Sequence, residues 1–197
     1  MIAKRVFDFI FSLAVVVVFL PFMFLLAFLV KLDSTGPVIY AGRRAGKDGK
    51  EFYMYKFRSM VQNADTIGGP STAADDPRLT GVGNFMKKFQ LDELPQFFNV
   101  LKGEMSIVGP RPEVLEEVAE YTKEERRLLS VNPGMTDWAS LWNFHEGEIL
   151  KGSKDPHQTY REKIRPEKIR LGLKYVDEHN FWIDMKIILQ TAKQMFF

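Results

Sequence analysis

The sequence predicts an α+β protein with an N-terminal re-entrant membrane helix-break-helix, a small β-hairpin sheet with surrounding helices, and amphipathic helices at a membrane interface. Three observations carry this prediction: a long apolar run, an Asp-Gly turn between two strand-like stretches, and C-terminal segments that mix apolar residues with lysines. A chain of 197 residues is long enough for one globular domain with a core and an accessory segment. We therefore divide it into a membrane-anchoring segment, residues 1–33, and a globular domain, residues 34–197.

Basic and acidic side chains nearly balance, with 27 Lys and Arg against 25 Asp and Glu and a formal net charge of +2. So small an excess does not create the broad basic field that nucleic acids attract, so we expect no nucleic-acid partner and only local anion binding. The chain has no cysteine, which excludes a disulfide framework and a thiolate metal site.

The first element is an apolar run from Phe9 to Val30 that only Ser12 and Pro21 interrupt. A helix that spans a bilayer needs roughly 20 such residues, so the length permits a span. A secretory signal peptide is disfavoured because its apolar region is usually about 7 to 15 residues long and because no small-x-small cleavage pattern precedes Lys31. A buried helix is disfavoured because a core of this size does not need so uniform a segment.

Both flanks of this run are basic, and Pro21 lies near its middle. The basic residues are Lys4 and Arg5 on one side and Lys31, Arg43, Arg44 and Lys47 on the other. A simple span concentrates Lys and Arg on one side of the membrane, whereas two basic flanks favour a segment that enters and returns. Each half is then about 18 Å long, close to half the hydrocarbon thickness. We expect a re-entrant helix rather than a kinked span, with Lys4 and Arg5 at the lipid headgroups. Asp8 would lie near the headgroups and could pair with Lys4 or Arg5.

The next element is a β-hairpin over residues 37–60. Strand-like stretches flank Asp48-Gly49, which is a strong turn signal. Residues 62–80 follow without apolar periodicity and are rich in Gly, Ala, Ser, Thr, Asp and Pro. They predict a long loop, which is either functional or merely a mobile part of the surface.

Helices are predicted for much of the remainder. One runs from Asp92 to Gly103, with Pro95 in its first turn and Gly103 as its C-cap. Another is an amphipathic helix over residues 113–129, whose charges form a solvated face. From Pro166 on, apolar and aromatic residues alternate with lysines, which predicts helices that either pack on the core or lie in the membrane interface.

Asp92 and Glu93 are adjacent carboxylates at a predicted helix start. Neighbours on a helix project about 100° apart, so they cannot easily flank one bond as the two acids of a glycosidase do. One can act as a nucleophile or metal ligand while the other assists, and the free amides of a helix N-terminus stabilise both a carboxylate and a bound phosphate. The simpler interpretation is a helix N-cap followed by a first-turn acid.

Several cations favour the phosphate interpretation. They are Lys56, Arg58, Arg78, Lys87, Lys88 and Arg111. Arg111 lies between Pro110 and Pro112, which restrict its backbone and suit bidentate contact with phosphate, although a rigid turn with a solvent-facing Arg is the alternative. Asp75 and Asp76 can ligate a divalent ion or form an ordinary turn.

These residues resemble the bacterial sugar transferases and, more narrowly, the small monotopic phosphoglycosyl transferases. The resemblance covers most of the chain, and its motifs recur in the family's order up to about Gly134. They are Lys4–Asp8, Tyr55–Met60, Asp76–Arg78, Leu91–Gln96, Phe98–Gly103 and Gly109–Pro112. Each motif is weak alone, and together they are highly specific.

The resemblance implies a membrane enzyme that transfers a sugar-1-phosphate from a UDP-sugar to undecaprenyl phosphate with Mg²⁺ and releases UMP, as the first membrane step of glycoconjugate assembly. It implies that Asp92 attacks the sugar-bearing phosphorus to form an aspartyl phosphosugar, and that Glu93 binds metal with Asp92 or orients it. Lys56, Arg58, Arg78, Lys87 and Arg111 would bind substrate. The catalytic domain would lie on the cytoplasmic face of a bacterial inner membrane, in contact with phospholipid, and a homodimer is allowed.

Some positions depart from the family pattern. Leu20-Pro21 replaces the Ser-Pro break of some members, and Lys87 stands where an Arg often precedes the acid pair. Residues 132–140 differ from the commoner Gly-rich form, so the sugar is not specified. His145 beside Glu146 and Glu148 resembles a metal cluster, but a lone His near acids is more often structural. The alternative function is a membrane-anchored module that binds a nucleotide-sugar or a partner enzyme without turnover.

Overall fold

The computed structural model describes residues 2–196, except for the side chains of Asp65 and Phe196, so that the outer ends of the two predicted domains, Met1 and Phe197, lie outside the described residues. Within residues 2–196, ten α-helices surround two two-stranded sheets. The helices are α1 (Ile2–Asp33), α2 (Ala64–Ile67), α3 (Gly81–Lys88), α4 (Gln96–Lys102), α5 (Leu115–Ala119), α6 (Trp138–Trp142), α7 (Glu146–Leu150), α8 (Pro156–Thr159), α9 (Arg165–Glu178) and α10 (Phe181–Phe196). The strands are β1 (Ile39–Ala45), β2 (Glu51–Phe57), β3 (Ser106–Val108) and β4 (Gly134–Thr136). The predicted mixture of helices with a small sheet is confirmed.

The N-terminal apolar segment is one continuous helix. α1 passes through Pro21 without ending, so the predicted division into two helices is wrong at the level of secondary structure. Proline removes one helical hydrogen bond, but side chains on both sides of it pack on the same domain and hold each half in helical conformation. By length and composition α1 is able to cross a membrane, with a mean hydropathy of 3.1 in its most apolar window.

Both halves of α1 contact the rest of the protein. The buried side chains recur on one face at Asp8, Ser12, Val16, Met23, Leu26 and Val30. In the first half, Phe7 and Phe11 pack against the cluster that contains Val100 and Ile107, and in the second half Met23 packs with residues of β2 and α3. Most of the intervening apolar surface is exposed, including Val17 and Val18, at 64% and 70%. α1 therefore has one face on the protein and a broad apolar face without a protein partner in the described part of the chain.

The predicted hairpin is confirmed. β1 and β2 are antiparallel, with Ile39 opposite Phe57 and Ala45 opposite Glu51. A short 3₁₀ turn joins them, and Asp48 and Gly49 there have φ angles of 58° and 73°. Aspartate and glycine tolerate this left-handed region better than other residues, which explains why Asp-Gly marks the turn.

A second sheet was not predicted. β3 and β4 are only three residues long and pair in parallel, with Ser106 opposite Gly134 and Val108 opposite Thr136. Both β3 and its flanks lie in the main core, which also includes the fully buried side chains of Tyr175 in α9 and Ile187 in α10. Parallel pairing joins segments that are distant in sequence, so local patterns do not reveal it.

The predicted helix over residues 113–129 is wrong. The structure has α5 and then a separate 3₁₀ segment, Glu125–Ser130. The two are divided because the Thr122 hydroxyl accepts from the Glu125 amide at 3.2 Å and the Glu125 carboxylate accepts from the Thr122 amide at 2.7 Å. This reciprocal arrangement is a capping box, which starts a new helical segment.

The C-terminal helices pack on the core, which is one of the two predicted arrangements, and their place in a membrane interface stays a prediction. Tyr175 and Ile187 are buried in the core, whereas Trp182 and Leu189 of α10 are 79% and 71% exposed. One face of α10 therefore completes the core, and the opposite face offers apolar side chains to its surroundings.

Candidate active site

Asp92 and Glu93 lie in a short 3₁₀ turn, Leu91–Glu93, which directly precedes α4. Gln90 before the turn has a left-handed φ of 53°, so the chain reverses sharply after α3. The predicted helix start at Asp92 is therefore too early, because α4 begins only at Gln96, after Pro95. The predicted end is confirmed, since Gly103 closes α4 with a φ of 87°.

Glu93 is held by two cations from distant parts of the chain. Its Oε1 accepts from Lys56 Nζ of β2 at 2.8 Å, and its Oε2 accepts from Arg111 Nη1 at 3.1 Å. Arg111 Nη2 also donates to Oε1. Burial by itself would raise the pKa of Glu93, but Arg111 and Lys56 reverse that effect and hold the pKa well below its usual range. Glu93 is thus an ionised carboxylate whose oxygens are already engaged.

Asp92 has a different environment although it is the next residue. Its side chain is buried, with 3% exposure, and among the described residues no group forms a hydrogen bond or an ion pair with it. Burial raises the pKa of this carboxyl, the Lys56, Lys87 and Arg111 charges lower it, and Glu93 adds to the increase. The carboxylate is therefore surrounded by cations but not bound by any, which leaves its oxygens available for reaction.

Lys87, in the last turn of α3, adds a third cation to this centre. Burial lowers the pKa of Lys87, and the charges of Lys56 and Arg111 act in the same direction, while Asp92 and Glu93 oppose them. An anionic ligand that entered the centre would relieve the repulsion among the three cations. Lys56, Lys87 and Arg111 therefore lie close to the acid pair, and their contact with substrate stays a prediction.

Arg111 is presented by a tightly anchored segment. The amide of Gly109 donates to the Thr136 carbonyl at 3.0 Å, and the amide of Gly134 donates to the Pro110 carbonyl at 3.0 Å. These bonds tie the segment to both ends of β4, and the guanidinium of Arg111 contacts Glu93. The alternative of a solvent-facing Arg in a rigid turn is therefore wrong.

These side chains line a cleft of about 1110 Å³. Lys56, Lys87, Asp92, Glu93 and Arg111 form part of its wall, and residues 70–75 of the long loop form another part. The loop is therefore part of the candidate site, which favours the functional interpretation over a merely mobile surface segment. This volume is slightly above the range of about 300 to 1000 Å³ that is usual for small-molecule sites, so the cleft has room for a ligand of nucleotide-sugar size.

Arg58 lies outside this cleft. Its guanidinium donates to the carbonyl and hydroxyl oxygens of Ser34 at 2.7 and 2.9 Å, to the Val30 carbonyl at 3.3 Å and to the Pro37 carbonyl. The last carbonyls of a helix lack intrahelical partners and attract such a cation. The predicted substrate contact of Arg58 is therefore corrected, because this residue fastens the end of α1 to β2.

Arg78 also lies apart from the acid pair. It forms an ion pair with Asp76 at 2.7 Å and donates to the carbonyls of Ala64, Gly69 and Ser71 at 3.0 to 3.3 Å. The side chain therefore shapes the long loop from inside, and the predicted direct contact of Arg78 with substrate is corrected. Asp76 is engaged by the same pair and is not available to ligate a metal.

Lys4 and Arg5 point into the protein rather than to lipid headgroups. Lys4 forms a buried ion pair with Asp184 of α10 at 2.7 Å and donates to the Val108 carbonyl at 3.0 Å. Arg5 donates to the carbonyls of Val100 and Leu101 at the end of α4, at 2.5 and 2.8 Å. The predicted headgroup contacts are corrected because these cations find internal acceptors where α1 docks.

Asp8 pairs with neither of those cations. It accepts from Ser106 Oγ at 2.8 Å and from the Ile107 amide at 3.2 Å. This buried carboxylate therefore joins α1 to β3.

The carboxylates fit a divalent ion only in a limited way. In the described part of the chain no group of three or more His, Asp or Glu residues is arranged to hold a metal ion. Glu93 is engaged by Lys56 and Arg111, so Asp92 is the one member of the pair with oxygens available. Mg²⁺ is often held by one or two carboxylates together with substrate phosphates and water, and a single Asp92 ligand suits that arrangement.

Three polar residues of the cleft were missed by the sequence interpretation. Glu113, Tyr160 and Lys168 line it beside Arg111 and bind one another. The charges of residues 113–129 were assigned to a solvated face, yet Glu113 is half-buried and Glu117 is buried among Arg161 and Arg165. The position of Glu113 directly after Pro112, in the same restricted segment as Arg111, was the signal that could have identified it.

Comparison with known proteins gives the family. Residues 1–197 match the model of the family described as bacterial sugar transferase. The chain is 36% identical to the undecaprenyl-phosphate glucose phosphotransferase of Komagataeibacter xylinus, over all of this chain and 36% of the relative. It is 37% identical to the UDP-glucose:undecaprenyl-phosphate glucose-1-phosphate transferase of Escherichia coli, over 96% of this chain and 39% of the relative.

A third relative is similar in length to this chain. The exopolysaccharide production protein PSS of Rhizobium leguminosarum is 36% identical over 98% of this chain and 94% of the relative. The chain thus spans well under half of the length of the first two relatives and nearly all of the third. Because the family match extends over the whole sequence, this chain belongs to the bacterial sugar transferase family.

Proposed function

We propose that this chain transfers a sugar-1-phosphate from a UDP-sugar to undecaprenyl phosphate and releases UMP, with Asp92 as the nucleophile. This reaction class is inferred from the Komagataeibacter xylinus and Escherichia coli relatives, whose names describe sugar transfer to undecaprenyl phosphate. The observation that carries the assignment to this site is the Asp92 carboxylate, which is buried among Lys56, Lys87 and Arg111 but bound by none of them. Enzymes activate nucleophiles and stabilise phosphoryl groups by this kind of preorganised charge.

The chemistry divides into two displacements at one phosphorus atom. A carboxylate oxygen of Asp92 attacks the phosphorus that bears the sugar, and the bond from this phosphorus to the oxygen shared with the other phosphate breaks, so UMP leaves with that oxygen. A phosphate oxygen of undecaprenyl phosphate then attacks the same phosphorus, and the bond to Asp92 breaks. Lys56, Lys87 and Arg111 stabilise the phosphate charge, and Glu93 fixes Arg111 and Lys56 in place.

We include Mg²⁺ in the proposal as a partner of the donor diphosphate. When bound, the ion would neutralise part of the diphosphate charge, with Asp92 as its protein ligand and phosphate and water oxygens as the others. Glu93 contributes indirectly, through the position of its two cations.

We also propose that α1 enters and leaves the bilayer on one side, with residues 34–197 on the cytoplasmic face of a bacterial inner membrane. This is supported by the contacts of both halves of α1 with one domain, since the ends of a spanning helix lie about 30 Å apart on opposite sides of the hydrocarbon. The exposed Trp182 and Leu189 of α10 suit contact with phospholipid at the interface. A homodimer stays a prediction.

The mechanism is tested by intact-protein mass spectrometry. The purified protein in detergent or nanodiscs is mixed with Mg²⁺ and a panel of UDP-sugars, without polyprenyl phosphate. We expect one donor to leave a phosphosugar adduct, and proteolysis to locate it on Asp92. Asp48→Asn, in the exposed β1–β2 turn, is the matched control and should form the adduct as the natural sequence does.

The same panel separates the enzyme from a binding module. Asp92→Asn should bind the donor yet form no adduct and release no UMP when undecaprenyl phosphate is added. Turnover without any adduct would contradict the two-step mechanism. Donor binding without UMP release by the natural sequence, with acceptor and Mg²⁺ present, would favour the binding module.

Topology is tested by cysteine labelling, since the chain has no cysteine of its own. Ala3→Cys and Thr35→Cys, at the two ends of α1, are compared with Lys123→Cys in the globular domain. A membrane-impermeant maleimide should label all three in inverted vesicles and none in intact spheroplasts. Labelling of position 3 from the side opposite to position 123 would contradict the re-entrant path.

A further inference from the structure

The cleft extends past the acid pair to a second polar cluster, which we call the Glu113 triad: Glu113, Tyr160 and Lys168. Glu113 Oε1 accepts from Lys168 Nζ at 2.6 Å and from the Tyr160 hydroxyl at 2.7 Å. Lys168 Nζ also donates to the Tyr160 hydroxyl at 3.1 Å. The three groups therefore fix one another in a closed arrangement on the cleft wall.

The triad is close to the phosphate-binding centre. Arg111 and Glu113 are two residues apart in one short segment, and two residues of extended chain span at most about 7 Å. Both side chains line the same cleft. A ligand whose phosphate contacts Arg111 therefore brings the group next to that phosphate within reach of Glu113.

The triad keeps hydrogen-bonding capacity for a ligand. Among the described residues no group donates to Glu113 Oε2, and Lys168 uses only two of its three donors. Burial would raise the pKa of Glu113, but Lys168 and the Tyr160 hydroxyl lower it overall, so the carboxylate is an anion and a pure acceptor. The side chains of Glu113 and Lys168 retain 18% and 17% exposure, so the cleft reaches them.

A fixed carboxylate acceptor beside an ammonium donor suits one kind of ligand group, a pair of neighbouring hydroxyls. Each hydroxyl can donate to the carboxylate and accept from the ammonium, whereas a phosphate would be repelled by Glu113. The donor of the proposed reaction carries such hydroxyls on the ribose and on the transferred sugar, on either side of its diphosphate.

Building on the proposed function, we propose that Glu113, Tyr160 and Lys168 form a subsite that binds neighbouring hydroxyl groups of the nucleotide-sugar, on the ribose or on the transferred sugar. This subsite contributes to donor affinity and selection rather than to the displacement at phosphorus. The triad also joins the Arg111 segment to α9, which explains why its members are held so firmly before any ligand arrives.

The test measures equilibrium binding in the Asp92→Asn background, which prevents turnover. The probes are UDP-glucose, UDP-galactose, UDP-N-acetylgalactosamine, UDP and 2′,3′-dideoxy-UDP, titrated onto the full chain in nanodiscs. Glu113→Gln/Lys168→Met removes both charges together, and Tyr160→Phe removes one hydroxyl only. Glu116→Gln and Tyr53→Phe, at exposed positions, are the matched controls.

We expect both triad variants to weaken binding of the preferred donor, by about tenfold for the double variant, while the controls bind normally. If the hydroxyls belong to the ribose, the triad variants should lose as much affinity for UDP as for the UDP-sugars, and their affinity for dideoxy-UDP should not change. If the hydroxyls belong to the transferred sugar, the triad variants should lose affinity only for the UDP-sugars.

Two results would overturn the subsite: unchanged affinity for every probe, or an equal loss for all probes, including dideoxy-UDP. An equal loss would show that the triad acts only through folding, which thermal unfolding of Tyr160→Phe checks independently. Failure of the parent protein to bind UDP or any UDP-sugar would overturn the proposed function itself. The two failures are therefore distinguishable.

Discussion

Arg111 makes a bidentate contact with the carboxylate of Glu93, in which Nη1 donates to Oε2 at 3.1 Å and Nη2 donates to Oε1. Lys56 adds a third contact at 2.8 Å. The hairpin, the turn before α4 and the segment before α5 are thus joined through one carboxylate, whose side chain is only 16% exposed. Its neighbour Asp92 needs no such contacts, so two adjacent acids have separate tasks: Glu93 assembles the cations, and Asp92 faces them unbound.

Glu93→Gln should reduce both stability and activity. Loss of the charge leaves Lys56 and Arg111, whose side chains are 20% and 28% exposed, without their counter-ion, and an unpaired polar group in such a partly buried site costs about 1 to 3 kcal/mol. We expect denaturant unfolding to show a loss at the lower end of this range, and UMP release to fall by roughly 100-fold, as for other preorganised charge contacts. Glu116→Gln, on the exposed face of α5, is the control. Unfolding and activity like those of the parent would contradict the role of Glu93.

Asp92→Asn should be inactive yet more stable than the parent protein near neutral pH. Burial raises the folded-state pKa of Asp92 above its ordinary value of 3.8, so the folded protein binds more protons than the unfolded chain in the interval between the two values. Because of Asp92, the free energy of unfolding falls as pH rises through this interval. Above the interval Asp92 is ionised in the folded protein and lowers its stability. Asparagine removes that cost.

The measurement is thermal unfolding of both proteins across pH. The gain in Tm for Asp92→Asn should be full at pH 7.5 and should shrink as pH falls towards the ordinary Asp range, where Asp92 is protonated in both states. A gain that stays the same at low pH, or a lower Tm at pH 7.5, would show that the buried charge is not its origin.

Lys87→Met should weaken binding of the UDP-sugar donor without unfolding the protein. Burial and the charges of Lys56 and Arg111 lower the pKa of Lys87, so removal of this charge relieves repulsion among the three cations. In the donor complex, however, a phosphate loses one charged contact, and we expect KM for the UDP-sugar to rise by about tenfold. Lys123→Met, at an exposed position, should leave KM unchanged. A normal KM for Lys87→Met would remove this residue from the site.

The Lys4–Asp184 pair should stabilise the docking of α1. A double-mutant cycle with Lys4→Met and Asp184→Asn should give a coupling free energy of about 1 to 3 kcal/mol, because the two groups lie 2.7 Å apart and are largely buried. The exposed Arg43–Glu51 pair, tested as Arg43→Met and Glu51→Gln, should show a much weaker coupling. Equal coupling in the two cycles would mean that Lys4 is not buried where α1 docks.

Several features could be predicted because they depend on neighbours in the sequence. The Asp48-Gly49 turn, the C-cap at Gly103 and the apolar run of α1 each reflect local backbone or solvation preferences. The approach of Lys56, Lys87 and Arg111 to the acid pair was predicted from the accumulation of cations around recognisable motifs. Errors arose where a local pattern had a competing partner, as at Thr122, whose capping box ends the expected helix.

The partners of the cationic side chains could not be predicted from the sequence. Arg58 and Arg111 are both arginines in family motifs, and both were predicted to contact substrate. In the structure, Arg58 donates hydrogen bonds to the carbonyls at the end of α1, whereas Arg111 donates to the carboxylate of Glu93. Lys4 and Arg5 likewise turned inward, because α1 docks with that face on α4, β3 and α10. No local pattern distinguishes these fates, since each depends on which acceptor another part of the chain provides.

The sequence by itself determined the family of this protein, its apolar N-terminal segment, its hairpin and the identity of the charged residues at its centre. Those features follow from composition, spacing and short-range backbone preferences. Only the tertiary structure decided which acid is bound and which is available, that α1 is one helix with both halves on one domain, and that Glu113, Tyr160 and Lys168 share the cleft. Burial and ion pairing depend on contacts between residues far apart in the chain, so they exist only once the chain has folded.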